Sequence, residues 1–310
     1  MVAAGGRAMA LYSDIERGKK VADILYRCFA TTGIHGQTEM PEDIAPKGVI
    51  QGSLEHILFI ALSVSIDYQR NADVLWASSR QTYGDPETRY LFNPQLLHEK
   101  PFSMIVRDMQ KYKLSKKPQQ DPNTWHMVGV SFHKKWQGDP RNFLASCNWD
   151  APLILARLKV DSHLRNGKRA PDFPFLRGDK IGPLWLRMLR DNAGLTQIRN
   201  LNKVPIPVDI HVARATLASG VVRGQYKGRL DSLFEIIRQA WFESVEGLTV
   251  DDQQMIALDV DEPLWHLSRY GCTHRDKLTG NCPVYDHCEV KEFCIKGKVA
   301  IQNTLVELGT

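Results

Sequence analysis

Residues 174–189 place a lysine, Lys180, in a glycine-punctuated turn that leads into an apolar helix. Gly178 and Gly182 allow backbone conformations that are closed to other residues. Pro183 suits a first helical position, because its missing N–H costs nothing there. The amides that follow would point out of the helix N-terminus and could hold an anion such as a phosphate group. We interpret the segment as helix, hairpin turn, helix, although short turns of this kind are also common in ordinary helix connections.

A carboxylate follows in residues 206–214, where Asp209 stands at the predicted start of the next helix. A neutral lysine amine can act as a nucleophile, and a carboxylate can stabilise positive charge that develops beside it. The two segments therefore supply an amine and an acid. Aspartate is also a favoured N-cap, so Asp209 is equally explained as the cap of its helix.

Four of the six cysteines lie near the C-terminus, separated by nine, five and five residues. In a chain without secretory features, such clustering favours metal ligation over disulfides. Four thiolates suit either tetrahedral zinc or a [4Fe–4S] cluster, and His274 and His287 are alternative zinc ligands. Cys28 and Cys147 are interpreted as packing thiols. The other four, called the metal-loop cysteines below, are Cys272, Cys282, Cys288 and Cys294.

Taken in order, Lys180, Asp209 and the metal-loop cysteines resemble the helix-hairpin-helix DNA glycosylase superfamily, that of endonuclease III, the adenine glycosylase and the 8-oxoguanine glycosylases. The resemblance runs from about residue 50 to residue 295. By it, Lys180 matches the family's Schiff-base lysine and Asp209 its catalytic aspartate. Residues 264–272 resemble the helix end that enters the iron–sulfur loop, which favours a [4Fe–4S] cluster over zinc.

The resemblance implies base excision repair of duplex DNA that contains a damaged or mismatched base. The enzyme would extrude the base and cleave its glycosidic bond, with associated lyase activity at apurinic or apyrimidinic sites. Residues 62–67 resemble the segment that helps to fill the gap left by the base, but they lack the glutamine usual there. The residues expected to contact DNA are Gly178, Gly182, Arg275 and Lys277.

Two alternative functions remain open. One is a monofunctional glycosylase, in which Lys180 contacts a phosphate and water attacks the sugar. The other is a noncatalytic nucleic-acid-binding protein that keeps the hairpin and a structural metal site. The sequence does not choose among lesions, because the residues of a base pocket come from distant segments.

The composition is that of a chain able to bury a substantial core in one or two domains, with 43% hydrophobic residues among 310. The longest apolar run, residues 57–66, is too short to span a bilayer. Residues 1–7 lack the apolar core of a secretory signal. We therefore expect an intracellular protein that does not bind membranes, located in the cytoplasm or nucleoid if the source is prokaryotic. A monomer is expected.

The net charge of +5 is too small to indicate nucleic-acid binding by itself. Lysines and arginines do form local clusters that could neutralise phosphates, although a solvated surface explains any single cluster equally well. These clusters are Lys111, Lys113, Lys116 and Lys117, then Lys134 and Lys135, then Arg165, Lys168 and Arg169.

Apolar residues recur at three and four positions in most of the chain, and alternating strand patterns are scarce. This periodicity predicts an all-α fold of two helical lobes with DNA bound across their cleft. Residues 51–200 would form a barrel-like lobe that carries the hairpin. Residues 1–50 would return to pack with residues 201–310, which carry the metal loop.

Overall fold

The computed structural model describes residues 11–165, 167–302 and 304–309. Residues 1–7, on which the expectation of no secretory signal rests, lie outside the described residues. Helices dominate the described chain, so the expectation of a mainly helical protein is confirmed. None of the described helices is both long and apolar enough to cross a membrane.

The chain divides into two compact units. Glu39–Val204 forms the central unit, and the segments before and after it together form the terminal unit. The divisions fall after residues 38 and 204, whereas the sequence predicted them after residues 50 and 200. Residues 39–50, which the sequence predicted to lie with residues 201–310, therefore belong to the central unit.

The central unit is built from eight helices and one β-hairpin among its described residues. The hairpin pairs β2 (Ser162–Arg165) with β3 (Lys168–Pro171) in antiparallel register. Short 3-10 turns lie at Arg89–Phe92 and Leu201–Lys203. The helices are α2 (Leu54–Val64), α3 (Ala72–Gly84), α4 (Pro94–Glu99), α5 (Phe102–Lys111), α6 (Gln120–Trp136), α7 (Pro140–Ser146), α8 (Ala151–Val160) and α9 (Ile181–Asp191).

Aromatic side chains fill the core of the central unit. Trp76, Trp125 and Trp185 are fully buried, and Trp125 Nε1 donates to the carbonyl oxygen of Leu91 at 2.7 Å. A buried indole N–H normally needs such a partner. Trp125 is thus a core residue.

The terminal unit packs α1 (Ile15–Thr31) against α11 (Phe234–Val245) and α12 (Asp261–His266), and both of these also contact α10 (Ile210–Ala218). Val21 and Leu25, four positions apart on one face of α1, are fully buried. Trp241 of α11 donates its Nε1 proton to Thr216 Oγ1 of α10 at 2.8 Å. A five-residue π-helix, Leu267–Gly271, continues from α12 to Cys272.

Small antiparallel sheets complete the terminal unit, so the strict all-α prediction is wrong. Residues 298–302 and 305–309 alternate buried and less buried positions with period two, a strand pattern that the sequence analysis missed. The larger sheet has the order β5 (Gln225–Arg229), β9 (Leu305–Gly309), β8 (Lys298–Gln302). The two others pair β1 (Tyr12–Ser13) with β4 (Val222–Arg223), and β6 (Thr249–Val250) with β7 (Gln253–Gln254).

Polar residues at the helix starts explain why many helices begin where they do. Asp14, Ser53 and Asn71 each accept a hydrogen bond from the backbone amide three residues later, at the starts of α1, α2 and α3. Such a side chain satisfies an amide that the helix itself leaves without a partner. The same kind of cap is provided at α4, α7 and α8 by Asn93, Asp139 and Asp150.

Candidate active site and metal centre

Lys180 occupies the position immediately before α9, at the end of the predicted turn. Its Nζ lies 3.4 Å from Asp67 Oδ2, and the side chain retains 27% of its exposure. Phe175, near the start of the turn, has a φ of +62°, which is uncommon for an aromatic residue. The turn therefore holds Lys180 half-buried and paired with a carboxylate that the sequence did not indicate.

The two glycines of the turn have internal roles. The Gly178 amide donates to the carbonyl of Phe175 at 2.8 Å, and the Gly182 amide donates to the carbonyl of Gly178 at 3.0 Å. A Cβ at Gly182 would lie 2.9 Å from Leu155 Cδ2, so this glycine lets α9 approach α8 closely. The expected phosphate contact through these two amides is not supported.

The element directly before the turn is strand β3, not the helix that a helix-hairpin-helix would place there. Helix α8 ends at Val160 and packs against α9, but the β2–β3 hairpin lies between them in the chain. The two helices that meet at Gly182 are therefore separated in the chain by an inserted β-hairpin. The prediction of an uninterrupted helix, turn and helix is corrected to this arrangement.

Aromatic and basic side chains adjoin Asp67, the partner of Lys180. Tyr68, which follows Asp67, packs against Phe175 with ring centroids 5.3 Å apart. Lys117 Nζ lies 4.5 Å from the centre of the Tyr68 ring, close enough for a cation–π interaction. We call Asp67, Tyr68, Lys117, Phe175 and Lys180 the lysine patch.

The loop that presents the lysine patch is held by buried charge. Arg70 Nη1 donates to the Leu114 carbonyl at 2.9 Å and lies 3.7 Å from Asp121. Burial lowers the pKa of Arg70, and the carboxylates of Asp121 and Asp67 oppose that shift. Lys116, from one of the predicted basic clusters, donates to the Gln69 carbonyl at 2.7 Å. Part of this cluster therefore supports the patch.

Asp209 caps α10, as the second reading of the sequence allowed. Its Oδ1 accepts hydrogen bonds from the amides of His211 at 2.7 Å and Val212 at 3.0 Å. The residue is half-buried. Capping and catalysis are compatible, because a carboxylate has two oxygens and several acceptor positions. The cap fixes the direction of the carboxylate at the helix N-terminus.

Arg214, one turn further along α10, connects this helix to the beginning of the metal loop. Its Nη1 donates to Ser268 Oγ at 3.1 Å and to Thr273 Oγ1 at 3.0 Å. Burial lowers the pKa of Arg214, whereas the charges of Cys272 and Asp209 raise it. A single guanidinium thus lies within electrostatic range of both the predicted acid and the first metal-loop cysteine.

The metal-loop cysteines converge in the terminal unit. All four are free thiols and half-buried. Burial raises the pKa of the Cys272 thiol, and the negative charges of the other three thiolates raise it further. Burial likewise raises the pKa of Cys288 to about 12. The fold therefore brings the other three thiols that the sequence grouped within electrostatic range of Cys272.

Arg275 and Lys277, both predicted to contact DNA, have different surroundings. Arg275 is only 6% exposed, and its Nη2 donates to the carbonyls of Ile295 at 2.7 Å and Gly297 at 3.1 Å. Its charge lowers the pKa of Cys272. Arg275 is therefore corrected to a loop-fastening residue that stabilises a thiolate. Lys277 is exposed.

A cavity of about 160 Å³ adjoins Cys272 and is bordered by Arg214, Arg275 and Lys277. Positive side chains around a cavity favour a negatively charged occupant. The alternative zinc ligands His274 and His287 are exposed. The sequence did not single out Asp67 or Arg214 as site residues. Asp67 is identified only by its closeness to Lys180 in three dimensions, and Arg214 only by its closeness to the metal loop.

No protein-family model matches the chain, and the search of curated proteins finds no similar sequence.

Proposed function

We propose that the chain is a DNA glycosylase of base excision repair with associated lyase activity, acting on duplex DNA with a damaged or mismatched base. The observation that carries the proposal lies in the terminal unit. There, Arg214 links the helix capped by Asp209 to the loop of four convergent thiols. The lysine patch of the central unit supplies the amine, with aromatic and cationic neighbours suited to unstacked bases and phosphates.

In the proposed reaction, the base is first rotated out of the duplex, because C1′ is inaccessible within the stack. The neutral Lys180 amine forms a bond to C1′ while the bond from C1′ to the base breaks, and the base leaves with that electron pair. Asp209 stabilises the positive charge that develops on the sugar. The nitrogen then loses a proton as the C1′–O4′ bond breaks, and the ring oxygen takes up a proton, so that the opened sugar is held as an imine. The imine permits loss of a C2′ proton and then of the 3′ phosphate, which cuts the strand.

The ion pair with Asp67 determines how Lys180 becomes nucleophilic. A carboxylate at 3.4 Å stabilises the ammonium ion, which cannot attack carbon. The proton must therefore move to an acceptor, and Asp67 Oδ2 is placed to receive it. The same ion pair favours the second candidate, a monofunctional glycosylase, in which Lys180 stays charged and water attacks the sugar.

The donor set of the metal loop fits a [4Fe–4S] cluster. Tetrahedral zinc with bonds of about 2.3 Å would hold four sulfurs about 3.8 Å apart. Among the described residues, the group whose ligand atoms all lie within 4.8 Å of one another contains Cys288 but none of the other three thiols. In a cubane each thiolate binds a different iron, so its four sulfurs need not approach one another as closely as the ligands of a single zinc ion. When bound, the cluster would hold the loop that presents Lys277 and would take no part in bond cleavage.

Borohydride trapping tests the nucleophile, because reduction of the imine joins protein and DNA covalently. Lys180→Ala should abolish the trapped complex. Lys159→Ala is the matched control, since Lys159 lies on α8 in an exposed ion pair with Asp179 at 2.6 Å and should trap normally. Undiminished trapping in Lys180→Ala contradicts the assignment of this lysine.

The substrate is found with duplexes that contain uracil, thymine glycol, 8-oxoguanine or an alkylated base. Base release followed by strand cleavage supports the bifunctional enzyme. Base release without trapping favours the monofunctional alternative. Salt-sensitive DNA affinity with no base release on any duplex would leave a noncatalytic nucleic-acid-binding protein.

A further inference from the structure

His35 stands at the tip of a two-residue turn that follows α1. Ile34 and Gln37 exchange backbone hydrogen bonds of 2.9 and 3.0 Å across the turn. His35 has a φ of +51° and Gly36 a φ of +72°, which are values for the two central residues of a type I′ turn. Asparagine or glycine is the usual first central residue, so a histidine there points to a role for its side chain.

The His35 ring is directed into the protein. Its side chain is only 10% exposed, and a Cβ at Gly271 would lie 2.4 Å from Nε2. Gly271 precedes Cys272, so the ring packs against the backbone that leads into the metal loop. Among the described residues, His35 Nε2 has no hydrogen-bond partner. An imidazole nitrogen buried without a partner is costly unless it serves another purpose.

Glu289 reaches His35 from the metal loop. The His35 amide donates to Glu289 Oε1 at 2.6 Å, and His35 Nδ1 lies 3.9 Å from Glu289 Oε2. In the part of the chain that the structure describes, Oε2 is also buried without a hydrogen-bond partner. Cys288 adds a thiol, and one ligand atom from each of the three residues lies within 4.8 Å of the other two.

We propose that His35, Cys288 and Glu289 bind a single divalent ion of the zinc class, with a fourth position open to water. Imidazole, thiolate and carboxylate are all zinc ligands, and three of them with an open position form a recognised zinc geometry. The ion would join the turn after α1 to the metal loop. The mixed donor set excludes the harder cations Mg²⁺ and Ca²⁺, which prefer oxygen.

This site stands apart from the proposed glycosylase activity and competes with the cluster for Cys288. A chain that uses Cys288 for iron cannot also offer that thiolate to a separate ion. The two occupancies therefore exclude each other, and the mononuclear site belongs to the chain without a cluster. Variants that affect only one of the two ligand sets can separate them.

The test is a titration of the full-length chain, freed of metal by chelation under anaerobic reducing conditions, with Co²⁺ as a spectroscopic substitute for zinc. One Co²⁺ should bind per chain, with thiolate-to-cobalt charge-transfer absorption of the intensity expected for one thiolate, and Zn²⁺ should displace it. His35→Asn and Glu289→Gln should each weaken binding at least roughly tenfold. Asparagine tolerates the left-handed backbone, so His35→Asn keeps the turn and removes only the imidazole.

Cys282→Ser and Cys294→Ser are the matched controls, because they remove thiols of the metal loop and leave the three proposed ligands. Both should bind Co²⁺ as the parent chain does. Undiminished affinity in His35→Asn and Glu289→Gln would overturn the proposal. Loss of the Co²⁺ absorption in Cys282→Ser would also overturn it, and would indicate a four-thiolate site instead. Iron content of the freshly isolated parent chain is measured separately and tests the cluster.

Discussion

Replacement of Asp209 can separate the catalytic role of this residue from its capping role. Its Oδ1 accepts hydrogen bonds from two amides at the start of α10, and its charge lies at the positive end of the helix. Asn keeps an oxygen that can cap the helix but removes the charge. Ala removes both.

The expected stabilities follow from these contacts. Loss of the cap in Asp209→Ala should lower the free energy of unfolding by about 1 kcal/mol, with about 0.3–1 kcal/mol more from the lost charge. Asp209→Asn should lose only the second contribution. One kcal/mol corresponds to a fall of roughly 4 °C in Tm for a domain of this size. Thermal unfolding followed by circular dichroism measures the difference.

Activity should follow a different order. If Asp209 stabilises charge on the sugar, Asn and Ala should both reduce base release at least roughly 10²-fold per folded molecule. Asn93→Ala is the matched control, because Asn93 also caps a helix by accepting from two amides, at 3.0 and 3.1 Å. It should lower stability and leave base release unchanged. Full base release by Asp209→Asn would refute the catalytic assignment and leave Asp209 as a cap only.

Three further outcomes follow from the structure. Replacement of any metal-loop cysteine should abolish the iron content and brown colour of the protein, whereas replacement of Cys28 or Cys147 should preserve both. A colourless chain with one zinc ion would contradict the cluster. Gly182→Ala should lower the free energy of unfolding by about 1–3 kcal/mol, because its Cβ would meet Leu155. Gly84→Ala has open space around its Cβ and should leave this free energy unchanged or raise it. Equal effects of the two substitutions would refute the close packing at Gly182. Burial and a hydrogen bond to Glu55 raise the pKa of Tyr83 to about 12. The stability that this neutral phenol contributes should therefore be complete below pH 10 and lost as pH rises towards 12. Alkaline unfolding of Tyr83→Phe should lack this pH-dependent loss of stability.

The helices that were predicted from the sequence are those marked by apolar spacing or by a capping residue. The α1 face was visible in its three-and-four spacing, and the cap at Asp209 in the residue type. Strands β8 and β9 carry an equally local alternation, which the sequence analysis did not identify. The β2–β3 hairpin inserted before Lys180 was also not predicted.

By itself, the sequence determined where most helices begin, and it grouped four cysteines in one C-terminal segment, because caps, periodicity and short spacings are set by neighbouring residues. Only the tertiary structure decided which partners these groups meet. Lys180 meets Asp67, Arg275 turns inward to backbone carbonyls, and His35 meets Glu289 across the terminal unit. These contacts join positions far apart in the chain. They depend on how helices and loops pack to bury their apolar faces, and no spacing in the sequence records that packing.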